Sequence, residues 1–209
     1  MIITVDGPAA AGKGTLARRL ADFLDYDFLD TGSLYRAVGL QVLRNGGNPA
    51  DTAAATAAAE AIDLDLLNDI ALRSEAAANA ASVVAAQPPV RAALLDFQRN
   101  FARNPPGGAG AVLDGRDAGT VVSPEAEVKL FITASLEARA MRRFRELQAK
   151  GQTAIWDAVL QDMRDRDARD SKRDVAPLKP AADAVVIDTT ELSPEQVFEK
   201  ALAIVEAKR

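Results

Sequence analysis

The stretch Ile2-Ile3-Thr4-Val5-Asp6-Gly7-Pro8-Ala9-Ala10-Ala11-Gly12-Lys13-Gly14-Thr15 decides how this chain folds. Ile2 to Val5 is a short apolar, β-branched run that stops at Asp6-Gly7-Pro8, the pattern of a buried strand entering a loop. From Lys13 onward Leu16, Leu20 and Leu24 recur near helical spacing, so the loop opens a helix. Strand, glycine loop and helix in that order are the context a phosphate-binding loop requires. Its glycines let the backbone turn sharply, so that successive N–H groups point at one anion. The helix N-terminus adds positive potential, and Lys13 reaches the terminal phosphates. A glycine-rich turn beside an ordinary surface lysine is the plainer alternative, and the flanking strand and helix disfavour it.

The loop departs from the usual pattern in one place. Ser or Thr normally follows the lysine and ligates Mg²⁺, whereas here that position is Gly14 and the hydroxyl comes one residue later, at Thr15. No protein Mg²⁺ ligand is therefore assigned, and the ion is expected on substrate phosphates and waters.

Beyond the loop, short apolar runs alternate with helical patterns. Strands are predicted at Tyr26 to Leu29, Ala111 to Leu113, Val128 to Ile132 and Ala184 to Ile187. Ser33 is expected to cap a helix carrying Tyr35 and Arg36 that ends at Asn45-Gly46-Gly47. Further helices are predicted at Asp51 to Ala61, Ser74 to Ala86, Pro88 to about Arg103, and from about Ser135 and Thr153. Ile62 to Arg73 reads as short extended structure. Ser193-Pro194-Glu195-Gln196 is a capping box with proline at the first helical position, which starts the last helix. The alternation implies an α/β fold, a parallel sheet covered by helices on both faces.

The chain has 209 residues, enough for one domain that buries about 70% of its unfolded surface. It contains no histidine and no cysteine, which removes disulfides, thiolate or imidazole zinc sites, and cysteine or histidine catalysis. A formal charge of -5 argues against a broad face for a nucleic acid polymer. With no basic leader followed by an apolar run, and no stretch near 18 apolar residues, a cytoplasmic protein without membrane attachment is expected.

Phosphoryl transfer to a hydroxyl or to water wants a positioned base, whereas a phosphate acceptor is already an ionised nucleophile and needs arginines more. Arg36 follows Asp30-Thr31-Gly32-Ser33, Arg116 lies in Asp114-Gly115-Arg116-Asp117 at a strand end, and Arg164, Arg166, Arg169 and Arg173 crowd one segment. Arg166, Asp170 and Arg173 share a helix face. The competing account is a solvated helix, laced by Asp162/Arg166 and Asp165/Arg169 pairs at i,i+4. Asp114 is open to two readings, an acid that organises Mg²⁺ or its waters and a turn cap.

Six separated blocks then resemble bacterial-type cytidylate kinases. They are DGPAAAGKGT from Asp6, LDTGSLYR from Leu29, NAAS from Asn79, VRAALLDFQR from Val90, LDGRDAGTVV from Leu113, and RDRDARDSKR with VAPLKPAADA from Arg164 to Ala184. The resemblance implies a kinase with a parallel five-stranded sheet flanked by helices, a monophosphate-binding insert at 45–103 and a lid at 152–173. It implies ATP and Mg²⁺, CMP and dCMP as acceptors, and a monomer. Gly7 to Thr15 would hold the ATP phosphates. Thr31 and Arg36 in DTGSLYR, and Asp114 and Arg116 in LDGRD, would meet the acceptor. Ser82, Arg91, Asp117 and Arg173 match residues that read the cytosine, and Arg166 and Asp170 match ribose and lid contacts. Lys13, Arg116 and Arg166 would carry the catalytic charge. Between Ile62 and Arg73 the chain departs from relatives with a longer β-rich piece, so the insert's small sheet is expected to be reduced.

Two other readings stand beside this one. A small-metabolite kinase acting on a hydroxyl would use Asp30 or Asp114 as base. A nucleotide-binding switch would bind ATP or GTP without turnover, although no Asn-Lys-x-Asp guanine-reading motif occurs.

Overall fold

A computed structural model describes residues 1–209. Its frame is five parallel strands: β1 (Ile2–Asp6), β2 (Asp27–Asp30), β3 (Ala111–Gly115), β4 (Val128–Thr133) and β5 (Val185–Asp188). Their order across the sheet is β2-β3-β1-β4-β5. The apolar run that opens the chain becomes the central strand, where burial on both faces selects β-branched side chains. Register sets Val5 beside Asp114 and Asp114 beside Asp30, so three loops leave the carboxyl edge of the sheet together. That edge, beside the central strand from which the order runs both ways, is where ligands of such sheets bind.

Eight α-helices accompany the strands: α1 (Lys13–Leu24), α2 (Thr31–Arg44), α3 (Thr52–Glu60), α4 (Glu75–Val84), α5 (Pro88–Arg103), α6 (Leu136–Ala149), α7 (Trp156–Ser171) and α8 (Pro194–Glu206). One core joins the leucine stripe of α1 to β1, β4 and α8, including Ile3, Leu20, Leu130, Ile132 and Val205. A second packs α2 to α5 around Leu34, Val38, Val84, Val90 and Leu94. Alanines let these helices approach closely. The Ser193–Gln196 capping box forms as read, each side chain bonding the other's backbone.

Three sequence expectations change ahead of β3. Residues 62–73 are not extended: Leu64–Asn68 and Ile70–Arg73 form 3₁₀ turns, with the Asp63 and Asp69 carboxylates accepting from the N–H groups of Asp65 and Ala71. Local Asx capping outcompetes a ladder that has no partner strand. No strand lies between β2 and β3, so the expected small sheet is absent rather than reduced. The cap of α2 is Asp30, not Ser33: Asp30 Oδ1 accepts from Ser33 N at 3.1 Å, and the Ser33 hydroxyl donates back to the Asp30 carbonyl at 2.6 Å.

Candidate active site

The loop between β1 and α1 is shaped by what its carbonyls touch. Arg139 donates to Ala9 O and Arg142 to Ala11 O, both at 3.4 Å, and Thr189 Oγ1 donates to Ala11 O at 3.0 Å. With those carbonyls held by α6 and the turn after β5, the loop's N–H groups are left for an anion. Gly7 sits at φ 150°, and a Cβ there would stand 2.0 Å from the Ile132 carbonyl oxygen. A Cβ on Gly14 would stand 2.9 Å from Asp114 Oδ2, so a hydroxyl residue directly after Lys13 would require that carboxylate to shift.

Lys13 Nζ lies 3.6 Å from Asp114 Oδ1. The two line a cavity of about 100 Å³ together with every residue expected to meet the acceptor: Thr31, Arg36, Ser82, Arg91, Asp114, Arg116, Asp117, Arg166, Asp170 and Arg173. Six cationic side chains there face four carboxylates, so the site is locally positive within a net acidic chain. Buried pairs build its walls. Arg91 Nη2 donates to Asp117 Oδ2, and Arg116 Nε donates to Asp170 Oδ2 at 3.0 Å. Thr31 gives its hydroxyl proton to the Asp114 carbonyl at 2.8 Å, so it offers a ligand lone pairs only.

The helix α7 is not the ion-paired surface helix of the competing account. Neither Asp162/Arg166 nor Asp165/Arg169 forms a bridge; Asp165 accepts from Gln161, Arg169 donates to Ser82, and Arg166 lines the cavity with Lys13. The helix starts at Trp156 rather than near Thr153.

The cavity's charges perturb one another. Burial, reinforced by Arg116, pushes the Lys13 ammonium down to about 8. Burial and the same neighbour lower Arg166 to about 10. Burial raises the Asp114 carboxyl against the pull of Lys13. Asp170 feels the opposite balance: burial opposes its charge, yet Arg116, Arg166 and Arg173 hold it below the usual carboxylate range. Asp114 Oδ1, Arg166 Nε and Arg173 Nε are buried without a hydrogen-bond partner in the protein. Left so, each would be costly, and all three belong to residues that line this cavity.

A second cavity, about 330 Å³ and mostly apolar, opens on the other side of the loop between Ala11, Thr15, Leu16, Arg142, Leu192 and Phe198. No cluster of three or more acidic side chains could cage a metal. The orphaned Asp114 Oδ1 and the exposed Thr15 hydroxyl beside the loop suit an Mg²⁺ that arrives on phosphates and keeps its waters. No helix is long and apolar enough to cross a membrane.

Sequence reasoning missed two contributors. Asp6 is buried, its oxygens accepting from Ala118 N at 2.8 Å and Gly119 N at 2.7 Å; burial raises it to about 7 against those two donors. It thereby ties the start of the phosphate loop to the segment after Arg116 and Asp117. An acid immediately before the glycine loop was the available signal. Tyr35, which lines the same cavity, lies under the Arg91 guanidinium at 5.3 Å; only its place in the Leu29 block pointed to it.

Comparison with known proteins agrees with this geometry. The family model described as cytidylate kinase matches residues 3–207. The cytidylate kinase of Paramagnetospirillum magneticum is 62% identical over 208 residues, covering 100% of this chain and 99% of that protein. That of Rhodospirillum rubrum is 60% identical over 209 residues, covering 100% and 98%. Among solved structures, an uncharacterized protein from Eubacterium ventriosum superimposes with a TM-score of 0.59 at 12% identity, covering 99% of each chain, a likeness of fold.

Proposed function

The chain belongs to the cytidylate kinase family, and from that premise we propose that it transfers the γ-phosphoryl group of ATP to CMP and dCMP. The observation that carries this reading is the meeting of Lys13, Arg36, Arg116 and Arg166 with Ser82, Arg91, Asp117 and Arg173 around one cavity. A phosphate seated on the arginines points a ready nucleophile at the loop, and the base lies against Ser82, Arg91, Asp117 and Arg173.

The loop N–H groups and Lys13 bind the donor phosphates, and the apolar second cavity takes the donor's nucleoside. Arg36 and Arg116 orient the acceptor phosphate in line, while Lys13 and Arg166 neutralise charge that spreads over the transferring group. Asp114 would hold the waters of an Mg²⁺ that arrives with ATP, and the ion would supply further charge neutralisation there. No histidine is needed because the acceptor is already ionised. Residues 45–103 act as the acceptor-binding insert and 152–173 as the lid, bringing Arg166, Asp170 and Arg173 over the acceptor. The hydroxyl-acceptor alternative is weakened by the candidate bases themselves. Asp30 caps α2, and Asp114 stands against Lys13.

A panel of CMP, dCMP, UMP and AMP under ATP, read by ADP release, tests the proposal. CMP and dCMP are expected to turn over at about 1–100 per second, and turnover confined to AMP or UMP would overturn it. The pH dependence follows from Lys13. Only its ammonium form serves, and in the free protein that form is lost as pH rises through about 8. The kcat/KM for ATP therefore falls above about pH 8, whereas kcat holds to higher pH because bound phosphates keep Lys13 charged. Parallel falls in both quantities would contradict this.

A further inference from the structure

Arg169 is exposed on α7, one position before Asp170 and outside the set of arginines that line the cavity. Its Nη1 nevertheless donates to Ser82 Oγ at 2.7 Å, a side-chain bridge from α7 to the buried face of α4. Ser82 is 6% exposed and lines the acceptor cavity. A guanidinium has protons to give and no lone pair to accept with. In this contact Ser82 Oγ is therefore the acceptor, and its own hydroxyl proton and second lone pair are left for the cavity.

A serine inside a helix ordinarily turns its hydroxyl back to the carbonyl four residues earlier. Ser82 makes no such bond, and its one hydrogen bond is the one from Arg169. The arginine comes from a helix otherwise tied to this cleft by Arg139–Asp167 and Arg116–Asp170. Ser82 thus has a fixed orientation only while α7 lies where it does.

We infer that Arg169 is a positioning residue of the acceptor pocket, which aims Ser82 at the acceptor base when α7 is docked and so couples lid position to base recognition. This rests on reading Ser82 as part of the CMP site. Arg169 need touch neither nucleotide; it acts through the serine.

A double-mutant cycle on the full-length chain decides the matter, with KM for CMP and for ATP and kcat measured for Arg169→Ala, Ser82→Ala and the pair. A single charge-assisted hydrogen bond at a half-open site implies a rise in the KM for CMP of about 5- to 20-fold for Arg169→Ala. The KM for ATP should stay within about twofold, and kcat should change less than the KM for CMP. Because Arg169 acts through Ser82, the double variant should be no worse for CMP than Ser82→Ala alone. Arg169→Lys keeps one donor and should recover part of the loss. Multiplying effects in the double variant, or an equal rise in the KM for ATP, would overturn the role of Arg169. Failure of the unsubstituted chain to phosphorylate CMP would instead overturn the reading of the site.

Discussion

Replacing Lys13 with alanine lowers kcat by about 10²-fold or more in a chain that still folds. Charge developing on the transferring phosphoryl group is the main thing this site must stabilise, and one preorganised charged donor removed from such a site costs about 3–4 kcal/mol in the transition state. Lys13 is preorganised in that sense. It opens α1, sits 3.6 Å from Asp114, and is dry enough that its ammonium is lowered to about 8. The variant removes the cation while leaving Asp114 in place, so a carboxylate without its neutralising neighbour then faces the incoming phosphates. Both changes act in the same direction. Steady-state kcat with saturating ATP and CMP checks the prediction, with circular dichroism confirming the fold. A folded variant retaining near-normal kcat would remove Lys13 from the chemistry.

The strand, loop and helix around Lys13 were legible because their determinants are local: a β-branched run, glycines at a turn and leucines at helical spacing. The capping box of α8 was legible for the same reason. What escaped is what distant contacts decide. Ala118–Val122 forms a turn of π-helix, although Thr120-Val121-Val122 carries the composition of a strand. The turn stands because Asp6, 112 residues earlier, accepts from Ala118 N. Arg166 and Arg169 have correctly spaced acids for surface pairing, yet the packing of α7 over the sheet edge turns one toward Lys13 and the other to Ser82. Spacing along a helix says which pairs can form, and the tertiary setting says whether they do. Ser82 and Arg91, which we propose read the base, carry no local signal of function. The resemblance put them forward, and the cavity brings them together with Asp117 and Arg173.

Arg91→Ala should be the most damaging single change among Ser82, Arg91, Asp117 and Arg173, and paired with a compensating double variant it separates stability from recognition. Arg91 and Asp117 are each 7% exposed in their side chains, and Arg91 also donates to the Ala85 carbonyl at 3.1 Å. Removing the arginine leaves a buried carboxylate without its counter-charge, which costs about 3–5 kcal/mol. At roughly 2–4 °C per kcal/mol for a chain of this size, Tm should fall by about 6–20 °C, and CMP turnover should collapse. Taken alone, that loss of turnover could be no more than a loss of structure. The double variant Arg91→Met/Asp117→Leu distinguishes the two. Replacing both partners of a buried ion pair by apolar side chains is often neutral or stabilising, so its Tm should return toward that of the parent. The π-helical turn survives the change because it is held by the Asp117 carbonyl, which accepts from Val121 N at 2.9 Å, and by Asp6. Its kcat/KM for CMP should nevertheless stay as low as that of Arg91→Ala, because an apolar wall offers the base no donor or acceptor and the cavity has lost the polar pair that faced it. A double variant that regains stability and CMP turnover together would show that the pair only holds the fold; one that regains stability alone assigns it to reading the base.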